Sequence, residues 1–78
     1  MQKKIYSYTV SFIPDLEEGG YVVSVPALPG CHTQGDTFRE AARNAREAIQ
    51  LYVESLITDG EPVPHEGRSI HRSLRVAI

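Results

Sequence analysis

Several carboxylates stand close enough in sequence to be tested first as a catalytic group: Asp15, Glu17 and Glu18 in one short segment, with Asp36 and Glu40 further on. Metal-dependent phosphoryl chemistry requires such acids to converge on two ions about 3.5–4 Å apart. Asp15, Glu18 and Asp36, with magnesium or manganese, are the set that a residual nuclease would use. Each acid also has a structural explanation. Acids in a turn keep a hairpin soluble, and Asp36 and Glu40 flank a helix start, where negative charge meets the positive end of the helix dipole. Cys31-His32 is the second candidate. A cysteine nucleophile needs its base nearby in space, and adjacent residues on a strand point to opposite faces. Cys31 therefore reads as a small buried hydrophobe and His32 as a surface residue. His65, Ser69, His71 and Ser73 have no spacing that demands a hydrolase, and no Gly-x-Ser-x-Gly elbow is present. Gly19-Gly20 leads into a strand, not into a helix as a phosphate loop would. The three histidines and Cys31 lack the paired spacing of a zinc site. No catalytic, cofactor-binding or metal-ligating residue is assigned, and the chain is expected not to be an enzyme.

The basic residues fall into two groups. Arg39, Arg43 and Arg46 share one helix face at steps of four and three and could meet phosphates. Glu40 and Glu47 lie at pairing distance from Arg43, which favours a solvated face. Arg68, Arg72 and Arg75 with His71 make the C-terminal segment the most basic stretch.

These side chains must be placed by a small set of elements. Lys4 to Ile13 alternates, with Tyr6, Tyr8, Val10 and Phe12 on one side and Ser7, Thr9 and Ser11 on the other, the period of a half-buried strand. An acidic turn, Pro14 to Gly20, joins it to a second strand, Gly20 to Val25. Pro26-Ala27-Leu28-Pro29-Gly30 breaks the run into an irregular loop. A short third strand is expected over Cys31 to Gln34. Thr37-Phe38-Arg39-Glu40 has the form of a capping box. Phe38, Ala41, Ala42, Ala45, Ile49, Tyr52 and Leu56 then mark the buried stripe of a helix that runs to Thr58. Gly60 is placed as its C-cap, with Pro62 just beyond. Ser69 to Ile78 alternates again and reads as a fourth strand, with Arg72 on its apolar face. The order is β-β-β-α-β, an α+β, two-layer fold with an antiparallel sheet and the helix across one face. The other sheet face, carrying Ser7, Thr9, Ser11 and Ser24 with Ile5 and Val22, is left open for another chain.

Length and composition limit the rest. A chain of 78 residues is one domain, expected to span 1–78. It buries only about 60% of its unfolded surface, and a core of that size rarely supplies more than about 3–5 kcal/mol. With one cysteine there is no internal disulfide, and a reducing, cytoplasmic location is the expectation. Self-association, as a dimer or tetramer, is the expected source of the missing stability. No segment approaches the roughly 20 apolar residues of a membrane span. The net charge of −2 is unlike that of a free-standing nucleic-acid binder.

The run Val25-Pro26-Ala27-Leu28-Pro29-Gly30-Cys31, continuing through Gly35-Asp36-Thr37 into Ala41-Ala42-Arg43-Asn44-Ala45, is more specific. With the Gly20-Tyr21-Val22-Val23 strand before it and Asp59-Gly60-Glu61-Pro62 after it, the ordered set resembles the HicB antitoxin family over roughly residues 5–66. In physical terms Pro26 and Pro29 stiffen the loop, Gly30 and Gly35 permit backbone angles that a side chain would forbid, and Thr37 caps the helix. The resemblance implies a degraded ribonuclease-H-like fold without its catalytic acids. It also implies a partner: a small basic toxin of double-stranded-RNA-binding fold (HicA-like) that cleaves messenger RNA and is neutralised when its site is covered. Many members carry a C-terminal DNA-binding domain. This chain ends on an expected strand, so direct DNA binding is not expected of it. Asp15, Glu17 and Glu18 are the residues expected to meet the basic partner. The other reading is an orphan domain with residual nuclease activity or with a small-ligand site in the 26–35 loop.

Overall fold

A computed structural model of the chain describes residues 4–66 and 72–78. The elements follow as β1 (Ser11–Pro14), β2 (Tyr21–Ser24), β3 (His32–Gly35) and α1 (Phe38–Thr58). The strands form an antiparallel sheet in the order β1-β2-β3, with Phe12 opposite Val23 and Val23 opposite Thr33. The architecture is α+β. Val23 is fully buried against Ala41 and Ala45, and the small side chains of the helix stripe let its backbone approach the sheet closely. A second cluster of Val25, Leu28, Cys31 and Val53 continues the core under the loop.

The ends of α1 follow local chemistry. Thr37 is extended, and its hydroxyl accepts the Glu40 N–H at 3.1 Å, satisfying one of the free donors of the first turn. At the other end Gly60, at φ 69°, donates to the Ile57 carbonyl at 3.1 Å, and Glu61 donates to Leu56 at 2.9 Å. This is the Schellman pattern, with Asp59 as the C-cap and Gly60 just after it.

The strands differ from expectation in their bounds: β2 is one residue shorter at each end than Gly20 to Val25. The first strand was expected over Lys4 to Ile13, but the ladder spans only Ser11–Pro14. Its partner β2 ends at Ser24, where the proline loop turns the chain, so residues 4–10 have no strand to pair with among the described residues. Their alternation still sorts their side chains: Tyr6, Tyr8 and Val10 pack on the core, while Ser7 and Thr9 are exposed. The third strand begins one residue late, at His32. The expected fourth strand is not formed over residues 72–78, which are exposed throughout. A strand needs a ladder partner, and none lies beside this segment among the described residues. Ser69, Ile70 and His71 lie outside the described residues.

Candidate partner-binding surface

The connection between β1 and β2 is built around Asp15. Its N–H donates to the Gly20 carbonyl and its own carbonyl accepts from Gly19, both at 2.9 Å. Its Oδ1 accepts the N–H groups of Glu17 and Glu18 at 3.0 and 3.1 Å. Asp15 is therefore half-buried and fixes the turn, and Glu17 and Glu18 stand exposed on it. Across the sheet end, Asp36 joins them: Asp15, Glu18, Tyr21, Gln34 and Asp36 line one cleft of about 100 Å³ with no basic residue on its wall. The fold thus gathers the three acids named for a nuclease. Among the described residues, however, no group of three or more His, Cys, Asp or Glu side chains is arranged to hold a metal ion.

Aromatic rings border this acidic rim. The Phe38 ring lies 4.7 Å from that of Phe12, and Tyr21 meets Phe38 edge-on at 6.0 Å. Phe38 is still 56% exposed. Acids around a partly exposed aromatic group are the surface that a basic protein partner would recognise, with charge giving approach and rings giving contact area.

The motif residues do different work. The Leu28 N–H donates to Val25, and the Cys31 N–H to Leu28, both at 3.0 Å. The Leu28 side chain fills the loop with no exposure, and the Tyr52 hydroxyl donates to the Pro29 carbonyl at 2.8 Å, tying the loop to α1. The interior of the 26–35 loop is thus occupied by its own leucine. Pro26 and Pro29 are exposed on its outside. Gly30 has φ 82°, as expected. Gly35 corrects the expectation, because its backbone is not among the positive-φ glycines. A Cβ at Gly35 would fall 2.4 Å from the Ala41 N and 2.6 Å from its Cα, so its need is close approach of strand to helix, not a special angle.

Cys31 is buried, and burial pushes its thiol pKa up, which keeps it protonated and a poor nucleophile. His32 points the other way and is exposed. His65 stacks on Tyr6 at 6.1 Å, Ser73 is exposed, and Ser69 and His71 lie outside the described residues. Arg39, Arg43 and Arg46 are all exposed on α1. Sequence reasoning passed over Leu28 and Val53 as core residues, and Phe38, expected on the buried stripe of the helix, is instead a partly exposed aromatic at its first turn. For Leu28 the available signal was an isolated large apolar residue held between two prolines.

The chain matches, over residues 7–75, the family described as HicB-like antitoxin of bacterial toxin–antitoxin systems. It is similar to a UPF0150 protein of Synechocystis sp., 56% identical over 64 residues that make up 82% of this chain and 80% of that one. A UPF0150 protein of Thermoplasma acidophilum is 54% identical over 59 residues, 76% of this chain and 84% of that one. Antitoxin HicB 1 of Photorhabdus laumondii is 43% identical over 60 residues, covering 77% of this chain but 38% of that longer protein. The chain belongs to the HicB-like antitoxin family.

Proposed function

We propose that this member of the HicB-like antitoxin family is the antitoxin of a toxin–antitoxin pair and that it binds and masks a small, basic, RNA-cleaving toxin of the HicA-like kind. The observation that carries the reading is the acidic rim: Glu17 and Glu18 exposed on a turn that Asp15 holds in shape, with Asp36 across the cleft. A rigid turn loses little conformational freedom on binding. Its charge steers a basic protein toward it and raises the association rate more than it fixes the affinity. In this reading the eroded ribonuclease-H-like frame serves as a docking scaffold, the protein acts by covering the toxin's site rather than by catalysis, and it works in the cytoplasm as a homo-oligomer. Among the described residues no helix is long and apolar enough to cross a membrane.

The test is co-expression and co-purification with a small basic protein encoded beside this one. A stoichiometric complex in which the neighbour's ribonuclease activity is suppressed is the expected result. A neighbour that cleaves RNA equally well with and without this chain would overturn the proposal.

A further inference from the structure

Given the antitoxin reading, on which this rests, we infer that the contact with the basic partner runs from the acidic turn onto the outer face of the sheet, with Ile13 and Val22 as its apolar centre. The strand register sorts the side chains into two faces. Phe12, Val23 and Thr33 form one row, and Val23 in it is fully buried against Ala41 and Ala45 of α1. The rows on either side therefore face away from the helix. Ser11, Ser24 and His32 make up one, and Ile13, Val22 and Gln34 the other.

These outer rows differ in composition from the rest of the chain. Charged residues are 23% of the sequence, yet the two rows hold no Asp, Glu, Lys or Arg. Ile13 and Val22 stand directly opposite each other and are 58% and 43% exposed. Such a cross-strand pair is one contiguous apolar surface. Leu16, exposed on the turn that Asp15 holds in shape, adds a further apolar group next to Glu17 and Glu18.

The charges border this face at one end. Val22 and Gln34 line the acidic cleft together with Asp15, Glu18 and Asp36, so the apolar pair and the acids belong to one surface. An uncharged centre with a polar rim is the make-up of a protein interface. The sign of the rim selects a basic partner, and its field acts at a distance, on the encounter. The aliphatic contact forms only once water has left, so it governs how long the complex lasts. Arg39, Arg43 and Arg46 are carried by α1, on the other side of the sheet, and do not oppose a basic partner here.

Binding kinetics with the small basic protein encoded beside this chain test the assignment. Ile13→Glu adds an acid while removing an aliphatic group, so a contact made by charge alone and a contact on the outer face respond in opposite directions. On the outer-face assignment, affinity falls more than about tenfold, through faster dissociation. The same substitution at Ile57, 55% exposed on α1, leaves affinity within about twofold. Val22→Thr keeps shape and β-branching, and should speed dissociation about threefold or more. Thermal melts of all three are expected to match wild type. Ile13→Glu or Val22→Thr binding as tightly as wild type would overturn the outer-face contact; if reversal of Glu17 and Glu18 still weakens binding, the antitoxin reading stands without it. A fall in the light-scattering mass of the free chain on Ile13→Glu would give this face to a second copy and overturn the inference. A neighbour that does not bind the wild-type chain would overturn the reading and the inference together.

Discussion

The Pro26–Thr37 junction and the Asp15–Gly19 turn are both short, irregular and closed by their own hydrogen bonds, but their side chains go to opposite places. In the junction they turn inward: Leu28 is fully buried, Cys31 is buried, and Gly35 lets the Ala41 backbone come into contact. In the turn only the Asp15 carboxylate is used internally, and Glu17 and Glu18 face solvent. The residues that make the chain recognisable are thus those that hold helix to sheet. The surface proposed to meet a partner is carried on a turn whose composition is that of many soluble hairpins. Substitutions in the first region should therefore act on folding, and those in the second on binding.

The largest effect is expected at Gly35. Gly35→Ala places a Cβ against backbone rather than a movable side chain. A loss of about 3 kcal/mol or more is expected, enough to unfold much of a domain this small, and thermal melts by circular dichroism would show it. A well-folded Gly35→Ala would break the view of this junction as the point of closest packing. Leu28→Ala should come next, at about 2–5 kcal/mol for a buried leucine that leaves a cavity, measured by denaturant titration. Thr37→Ala removes the acceptor for the Glu40 N–H and should destabilise by about 1 kcal/mol.

A smaller effect is expected at Tyr8. Burial, with Tyr6 and Glu66 adding in the same direction, raises its hydroxyl pKa above the usual 10.0. The folded state therefore holds this proton more tightly than the unfolded chain does. That contribution is fully present below pH 10.0 and is lost as pH rises through the folded-state value. Urea titrations at about pH 8 and about pH 11 should show an alkaline loss of stability that Tyr8→Phe reduces.

Much of this division was legible in the sequence. The alternation of Tyr6, Tyr8, Val10 and Phe12 correctly assigned facing, because facing is a property of one strand. Pairing is a property of two, and β2 is too short to pair with residues 4–10. The same limit applies to Arg72–Ile78, whose pattern is that of a strand although no neighbour lies beside it among the described residues. Both ends of α1 were readable from Thr37 and Gly60, since caps depend on local backbone groups. Leu28 was not read as core because its proline-rich surroundings are those of a surface loop. The meeting of Asp36 with Asp15 and Glu18 was conditional on how β2 and β3 pair, which single-strand patterns do not reveal.

The most direct measurement is the double reversal Glu17→Lys with Glu18→Lys, read for folding and for toxin binding on the same sample. Both side chains are exposed, so stability should stay within about 0.5 kcal/mol of wild type. Affinity for the basic toxin should fall more than about tenfold, or about 1.4 kcal/mol. Unchanged folding with affinity held within about twofold would contradict the assignment of the acidic turn as the binding surface.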